Sequence, residues 1–506
     1  MSAEPVAADT EDGPQPPGTP QPDGAPRTSD SAAGPRGWSV LRPLVLRPLV
    51  LRPLVLRLHF YAGVLVAPFL LVAAVTGLLY AGSIQAEKIV YDHELRVPVG
   101  KSELPLSQQI AAARKAHPDG EIGAIRPSPE AGATTRVLLS GVKGVDPEHK
   151  LAVFVDPYTG KVRGALEQYG TSGALPLRTW IDDLHRNLHL GDSGRLYSEL
   201  AASWLWVITG GGLVLWIARR RKGSVRRRLR ATALPDRSAT GRRRMMSFHG
   251  SVGVWAALGL FFLSATGLTW STYAGANVTD LRASLGQATP AVSSAGGGEH
   301  AGHGSMPGMD MGGSSGKGGE SADVGVDAVL KAARAEGLGN PVEIVPPTGA
   351  GAAYTVSQIQ RSWPEKQDAA AVDPATGQVT DVVRFADHPP LAKLSRWGID
   401  AHMGSLFGLP NQIALAALAL ALIFLIVWGY RMWWRRGRAG AFGRPIPRGA
   451  WRQVPSYVLA VLTVVVAVLG YYLPLLGLPL IGFLLIDLAL GRLADRRGKR
   501  AETAGA

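Results

Sequence analysis

The 506-residue chain contains no cysteine, which excludes disulfides, thiolate metal sites, iron–sulfur clusters and the Cys-x-x-Cys-His attachment of c-type haem. It is also short of acid. Its 39 Asp and Glu face 53 Lys and Arg, a formal net charge of +14, and on a soluble domain that excess would point to nucleic acid. Here the arginines crowd beside apolar runs, so the charge reads as membrane topology and nucleic acid is excluded as a partner. A strand leading through a glycine-rich turn into a helix is missing too. Gly210-Gly211-Gly212 lies inside an apolar run, so no NAD or flavin site is seen. Charged residues make up 18% of the chain against 46% hydrophobic, which is too apolar for an ordinary soluble protein.

What is present divides the chain. Residues 1–40 are rich in Pro, Gly, Ala, Asp and Ser without apolar periodicity and are expected to form a disordered tail. Leu-Arg-Pro-Leu-Val then occurs three times between Leu41 and Val55, with proline too frequent for a continuous helix. The segment 41–57 reads either as a basic juxtamembrane anchor, with Arg42, Arg47, Arg52 and Arg57 near anionic headgroups, or as a repeat expansion without a specific role. Stretches apolar enough to cross about 30 Å of hydrocarbon predict six spans, at 58–81, 200–218, 249–273, 410–434, 455–472 and 474–490. Trp204, Trp270, Trp433 and Trp434 lie near their ends, as interfacial anchors do. Basic clusters at 219–222, 226–228, 242–244, 431–438 and 492–500 fall on one side if both termini are cytoplasmic. The expected place is the cytoplasmic membrane, with the long connections 82–199 and 274–409 facing outward.

Each long connection is expected to hold a small α+β module. Ser107 to Ala116 and Val326 to Ala335 read as helices, and Arg136 to Leu139, Leu151 to Val155 and Tyr354 to Ser357 as strands. Both modules contain the same turn, Asp156-Pro157-Tyr158-Thr159-Gly160-Lys161-Val162 and Asp373-Pro374-Ala375-Thr376-Gly377-Gln378-Val379. Proline presets the turn and glycine supplies positive φ, which is a hairpin signal. The predicted fold is an α-helical integral membrane protein, internally duplicated, with two such modules outside.

The duplication extends to histidine. His59-x-x-x-Gly63 opens an apolar run ending in Thr76-Gly77, and His249-x-x-x-Gly253 opens one ending in Thr266-Gly267. Trp180-x-x-Asp183-x-His185 is echoed by Trp397-x-x-Asp400-x-His402. An ionisable residue at a membrane segment is expensive and marks a functional site by default. Four in two matched pairs point to a cofactor held between the halves. The alternative is that they anchor helix ends at headgroup level.

The Asp-Pro-x-Thr-Gly-x-Val turn in an α+β module resembles a PepSY domain, and the His-x-x-x-Gly and Thr-Gly spans resemble those of PepSY-associated transmembrane proteins. The likeness covers Leu58 to Trp434. It implies a membrane protein of the kind that includes iron-regulated inner-membrane proteins and siderophore reductases with two b-type haems. On that reading His59 pairs with His249 near the cytoplasmic face and His185 with His402 near the outer face, each pair holding one haem. Gly63 and Gly253 either leave room for a porphyrin or serve helix packing. The implied activity is electron transfer from quinol or another protein to a ferric siderophore or other metal chelate outside. Two other readings stay open: a non-enzymatic PepSY module that binds or inhibits an extracytoplasmic peptidase or similar partner, and a copper-handling membrane protein.

Copper enters through an insert foreign to the family pattern, His300-x-x-His303-x-x-Met306-x-x-Met309-x-Met311, whose imidazoles and thioethers suit Cu(I). It also reads as a flexible loop with incidental affinity. His189 follows His185 by four residues and would share its face in a helix, as an alternative ligand. Its counterpart is Leu406, which favours a surface role. Asp487, in the last span, reads as a packing or helix-end residue.

Overall fold

The computed structural model describes residues 52–219, 224–293, 323–349, 351–435 and 455–504. The repeat up to Leu51 and the His/Met insert 300–311 lie outside the described residues. The chain begins with α1 (Arg52–Leu65), α2 (Ala67–Val90), α3 (Asp92–Leu95) and α4 (Leu106–Ala116). Strands β1 (Glu121–Arg126), β2 (Thr135–Ser140), β3 (His149–Val155) and β4 (Val162–Tyr169) follow, then α5 (Pro176–Asn187), α6 (Gly191–Arg219), α7 (Val225–Ala233), α8 (Gly241–Leu268) and α9 (Tyr273–Ser284). The rest is α10 (Val326–Ala335), β5 (Val342–Val345), β6 (Tyr354–Gln358), β7 (Ala369–Val372), β8 (Val379–Val383), α11 (Pro390–His402), α12 (Leu409–Trp434), α13 (Ser456–Tyr472) and α14 (Pro474–Ala504).

Among the described residues five helices are long and apolar enough to cross a membrane: Ala67–Val90, Gly191–Arg219, Gly241–Leu268, Leu409–Trp434 and Pro474–Leu493. Six were expected. The sixth, α13, is apolar but only 17 residues long, about 25 Å at 1.5 Å per residue. The first span is longer than expected and bent at Val66, between α1 and α2. Pro68 is the cause, because it has no N–H to offer the Val64 carbonyl one turn back. The Tyr430 hydroxyl, from α12, donates to that carbonyl at 2.8 Å and satisfies a group that lipid could not.

The two expected modules are one sheet. All eight strands form a single antiparallel array in the order β4-β3-β2-β1-β5-β6-β7-β8, joined where Ile125 of β1 pairs with Ile344 of β5. The join is reinforced on both sides. Arg126 Nε meets Glu343 Oε2 at 2.6 Å, and Asp327 of α10 accepts from the Leu106 and Ser107 amides at the start of α4. A carboxylate there satisfies orphan donors and complements the helix dipole. The sequence did not show this because edge pairing depends on backbone groups that carry no side-chain signal.

Alternation along the strands sorts two faces. Val137, Val153, Ile344 and Val356 pack under α4 and α10 through Leu106, Ile110, Ala113, Val329, Leu330 and Ala333. Leu138, Ala152 and Phe154 turn the other way, onto Leu175 and the Tyr91–Leu95 segment below α2. Both expected hairpins form as the sequence predicts. Asp156 N donates to Lys161 O and Asp373 N to Gln378 O, each at 2.9 Å, with Gly160 at φ +71° and Gly377 at +69°.

Candidate functional site

The histidines singled out above come together in two places. His59 of α1 and His249 of α8 face each other with ring centroids 6.5 Å apart and planes at 76°. His185, in the last turn of α5, and His402, at the end of α11, lie at the level of Thr76 and Thr266 and are close enough that charge on one lowers the pKa of the other. Thr76 follows His59 by 17 residues and Thr266 follows His249 by 17, roughly 25 Å of helix between the two places.

Each ring rests on a glycine of a neighbouring helix. A β-carbon would stand 3.0 Å from His59 Cε1 at Gly212, 3.2 Å from His185 Cε1 at Gly77, 3.4 Å from His402 Cε1 at Gly267 and 3.9 Å from His249 Cε1 at Gly429. Glycine is needed at the closest of these positions because any side chain would push the imidazole away. The Nδ1 atoms are held from behind. His59 Nδ1 lies 2.8 Å from the Ile208 carbonyl, His185 Nδ1 2.8 Å from Thr76 Oγ1 and His402 Nδ1 2.7 Å from Thr266 Oγ1. Both threonine hydroxyls point their own hydrogen back to a carbonyl of their helix, Val72 and Phe262 at the shorter distance, so each oxygen is left to accept from the ring. His249 Nδ1 is buried with the Leu425 backbone alongside, out of hydrogen-bond geometry. Carbonyl and glycine are four residues apart in both spans, Ile208 with Gly212 and Leu425 with Gly429, one turn of helix.

Nε2 of all four rings makes no hydrogen bond among the described residues. An imidazole held at Nδ1 with Nε2 open is the usual state of a metal-ligating histidine. Burial lowers the His185 pKa and pushes His402 down to about 3, with the charge of His185 adding to the effect, so both rings are neutral and able to ligate. Among the described residues no three His, Asp or Glu side chains gather as a metal-binding group.

The pair His185 and His402 is braced by charge. Glu87, at the foot of α2, takes a two-pronged contact from Arg178 and accepts the Leu175 amide at the start of α5. Arg361, on the β6–β7 loop, donates to Asp400 Oδ1 at 3.0 Å and to Thr171 Oγ1 at 2.7 Å, tying the helix of His402 to the turn before the helix of His185. Asp400 is fully buried, and Trp270 stands edge-on to His402 at 5.6 Å.

Several residues sit elsewhere than expected. His189 is exposed at φ +53°, beyond the end of α5, with its ring tilted 35° to that of Trp180 at 5.1 Å, so it does not share a helical face with His185. Arg57 is not at the headgroups: it is 1% exposed and paired with Asp487 at 2.8 Å. Trp204 is likewise buried, donating to the Leu475 carbonyl. Gly63 has no atom within 4 Å of where its β-carbon would be, and Gly253 has only Leu425 Cδ2 at 3.8 Å. The sequence reading missed Gly212 and Gly429 as supports, and Thr76 and Thr266 as partners. The recurrence of Thr-Gly at one offset from histidine was the available signal.

A profile of the PepSY-associated TM region matches residues 56–436. The chain belongs to this family. The matched segment takes in all four histidines, every strand and the spans from α1 to α12, and leaves out α13 and α14. No curated protein matches the chain.

Proposed function

We propose that this PepSY-associated membrane protein is a dihaem b-type electron carrier of the cytoplasmic membrane, in which His59 and His249 hold one haem and His185 and His402 the other. The observation that carries the reading is the common construction of the four rings: glycine under Cε1, Nδ1 held at three of them, Nε2 open. His59 and His249, with ring centroids 6.5 Å apart, would be the residues to hold the haem at their level. When bound, haem supplies one-electron chemistry at each level. The chain's own part is to fix the tautomers of His59, His185 and His402 through Nδ1 and to exclude water from the apolar bundle.

The same arrangement is read as an internal duplication, with α1–α6 answering α8–α12 and the sheet on the extracytoplasmic side. Positive residues at 226–230 and 242–244 then lie in the cytoplasm, and electrons from quinol or another protein pass outward to a ferric chelate such as a siderophore. Purified protein from haem-replete cells should show a reducible b-type Soret band at about two haems per chain. A colourless preparation sinks the proposal. His59→Ala and His249→Ala should each remove the same half of that band and His185→Ala and His402→Ala the other half, while His189→Ala keeps both.

A further inference from the structure

The arginines between the second and third spans do more than record topology. α7 is a nine-residue helix whose residues divide by angle. Val225, Leu229, Thr232 and Ala233 fall on one arc, and Arg226, Arg227, Arg228 and Arg230 on the rest of the circumference. Val225 is 69% and Leu229 66% exposed, so the apolar arc is largely uncovered at these two residues, while Thr232 and Ala233 at its other end are half-buried. None of the four arginines makes an ion pair among the described residues. Arg226, Arg227 and Arg230 are exposed, as are Arg242, Arg243 and Arg244 at the start of α8.

Two tryptophans fix this helix against the bundle. Trp216 Nε1, from α6, donates to the Thr232 carbonyl at 3.0 Å, and Trp255 Nε1, from α8, donates to the Ala233 carbonyl at 2.9 Å. These acceptors are in the last turn of α7, where carbonyls lack helical partners. Trp255 is 72% exposed on the outer surface of α8, beside Leu258 at 82%, the surface that lipid covers. The Asp236 amide donates to Ser247 Oγ at 2.7 Å and closes the loop back onto α8. α7 is thereby held at the rim of the bundle, next to lipid-facing tryptophan.

We infer that α7 is an interfacial helix that gathers anionic phospholipids, its apolar arc in the acyl boundary and its arginines, with those opening α8, on the headgroup phosphates. Arginine presents a planar fork that matches phosphate, and a helix with uncovered apolar residues opposite such a face lies in the interface. An acidic electron-donor protein would answer the charge but leave Val225 and Leu229 in water, which is why lipid is the favoured occupant. The inference rests on the chain being a membrane protein and is independent of haem.

The test uses the full chain reconstituted in phosphatidylcholine vesicles with spin-labelled phosphatidylglycerol or spin-labelled phosphatidylcholine as the probe. The native protein should prefer phosphatidylglycerol by at least about fivefold, and the preference should shrink when salt is raised. Arg226→Gln, Arg227→Gln and Arg230→Gln together should cut the preference by at least half, the arginines of α8 remaining, with the motionally restricted phosphatidylcholine signal unchanged. Val225→Ser with Leu229→Ser, which keeps every charge, should weaken it. Equal binding of the two lipids by the native protein, insensitive to salt, overturns the inference without any variant. So does a preference left unchanged by loss of the three arginines.

Discussion

Arg57 and Asp487, 430 residues apart in the chain, form a 2.8 Å ion pair whose side chains are only 2% and 4% exposed. One lies two residues before His59, and the other is in a helix beyond the segment matched by the family profile. α14 is therefore not a loose appendage. It is locked to the helix that presents a candidate ligand, and Leu476 and Leu480 join the same apolar core as Leu70 and Leu260.

Breaking that pair from one side should be costly. Asp487→Ala leaves a guanidinium in an apolar bundle without its carboxylate and should cost about 3–5 kcal/mol. Thermal unfolding in detergent measures it. The combination Arg57→Met with Asp487→Leu should recover part of the loss, because it removes both charges of the pair. A double variant no more stable than Asp487→Ala would mean that the pair is not the source of the effect.

The threonines supply a test confined to the pair His185 and His402. Thr76→Val and Thr266→Val keep side-chain shape and remove the oxygen 2.8 Å and 2.7 Å from His185 and His402 Nδ1. Loss of such an outer partner should weaken metal binding by about 10–100-fold. Redox titration should show one haem shifted or depleted and the other unmoved. If both haems change equally, the threonines act on the fold and not on the ligands.

Two glycines should behave in opposite ways. At Gly212 a side chain meets His59 Cε1 at 3.0 Å, so Gly212→Val should displace that ring and deplete the inner haem. At Gly63 nothing lies within 4 Å, and Gly63→Ala should raise the stability of haem-free protein by up to about 1 kcal/mol through helix propensity. Gly63→Leu adds the stricter measurement: normal unfolding without haem, with impaired haem loading. Unimpaired loading would assign Gly63 to helix packing alone.

Glu365, on the β6–β7 loop, gives a pH dependence. Burial first, and then a hydrogen bond with Asp400, pushes its carboxyl up to about 8 from an ordinary 4.5. Its oxygens are buried and receive no hydrogen bond, so a favourable contact with Asp400 needs the proton on Glu365. The folded state binds that proton more tightly than the unfolded state. Its stabilisation is thus complete below 4.5 and disappears as pH rises towards about 8. Melting temperature plotted against pH should fall across this window more steeply for the native chain than for Glu365→Gln. Parallel curves would remove Glu365 as the cause.

The sequence alone determined which segments are apolar, where the two hairpins turn, and which histidines recur. These follow from local rules: long apolar runs, glycine at positive φ, proline after aspartate, and fixed offsets within a repeat. The bend at Val66 follows locally from Pro68, whereas the Tyr430 hydroxyl that answers it comes from another helix. Only the tertiary structure decided what meets what. Arg57 looked like the last of four headgroup arginines because its neighbours in sequence are basic, and its burial depends on an aspartate 430 residues away. Glycines 212 and 429 carry no local sign that a histidine from another helix rests on each. The sheet closed into one because β1 and β5 offer each other unpaired backbone groups, a property every strand edge has and no side chain encodes.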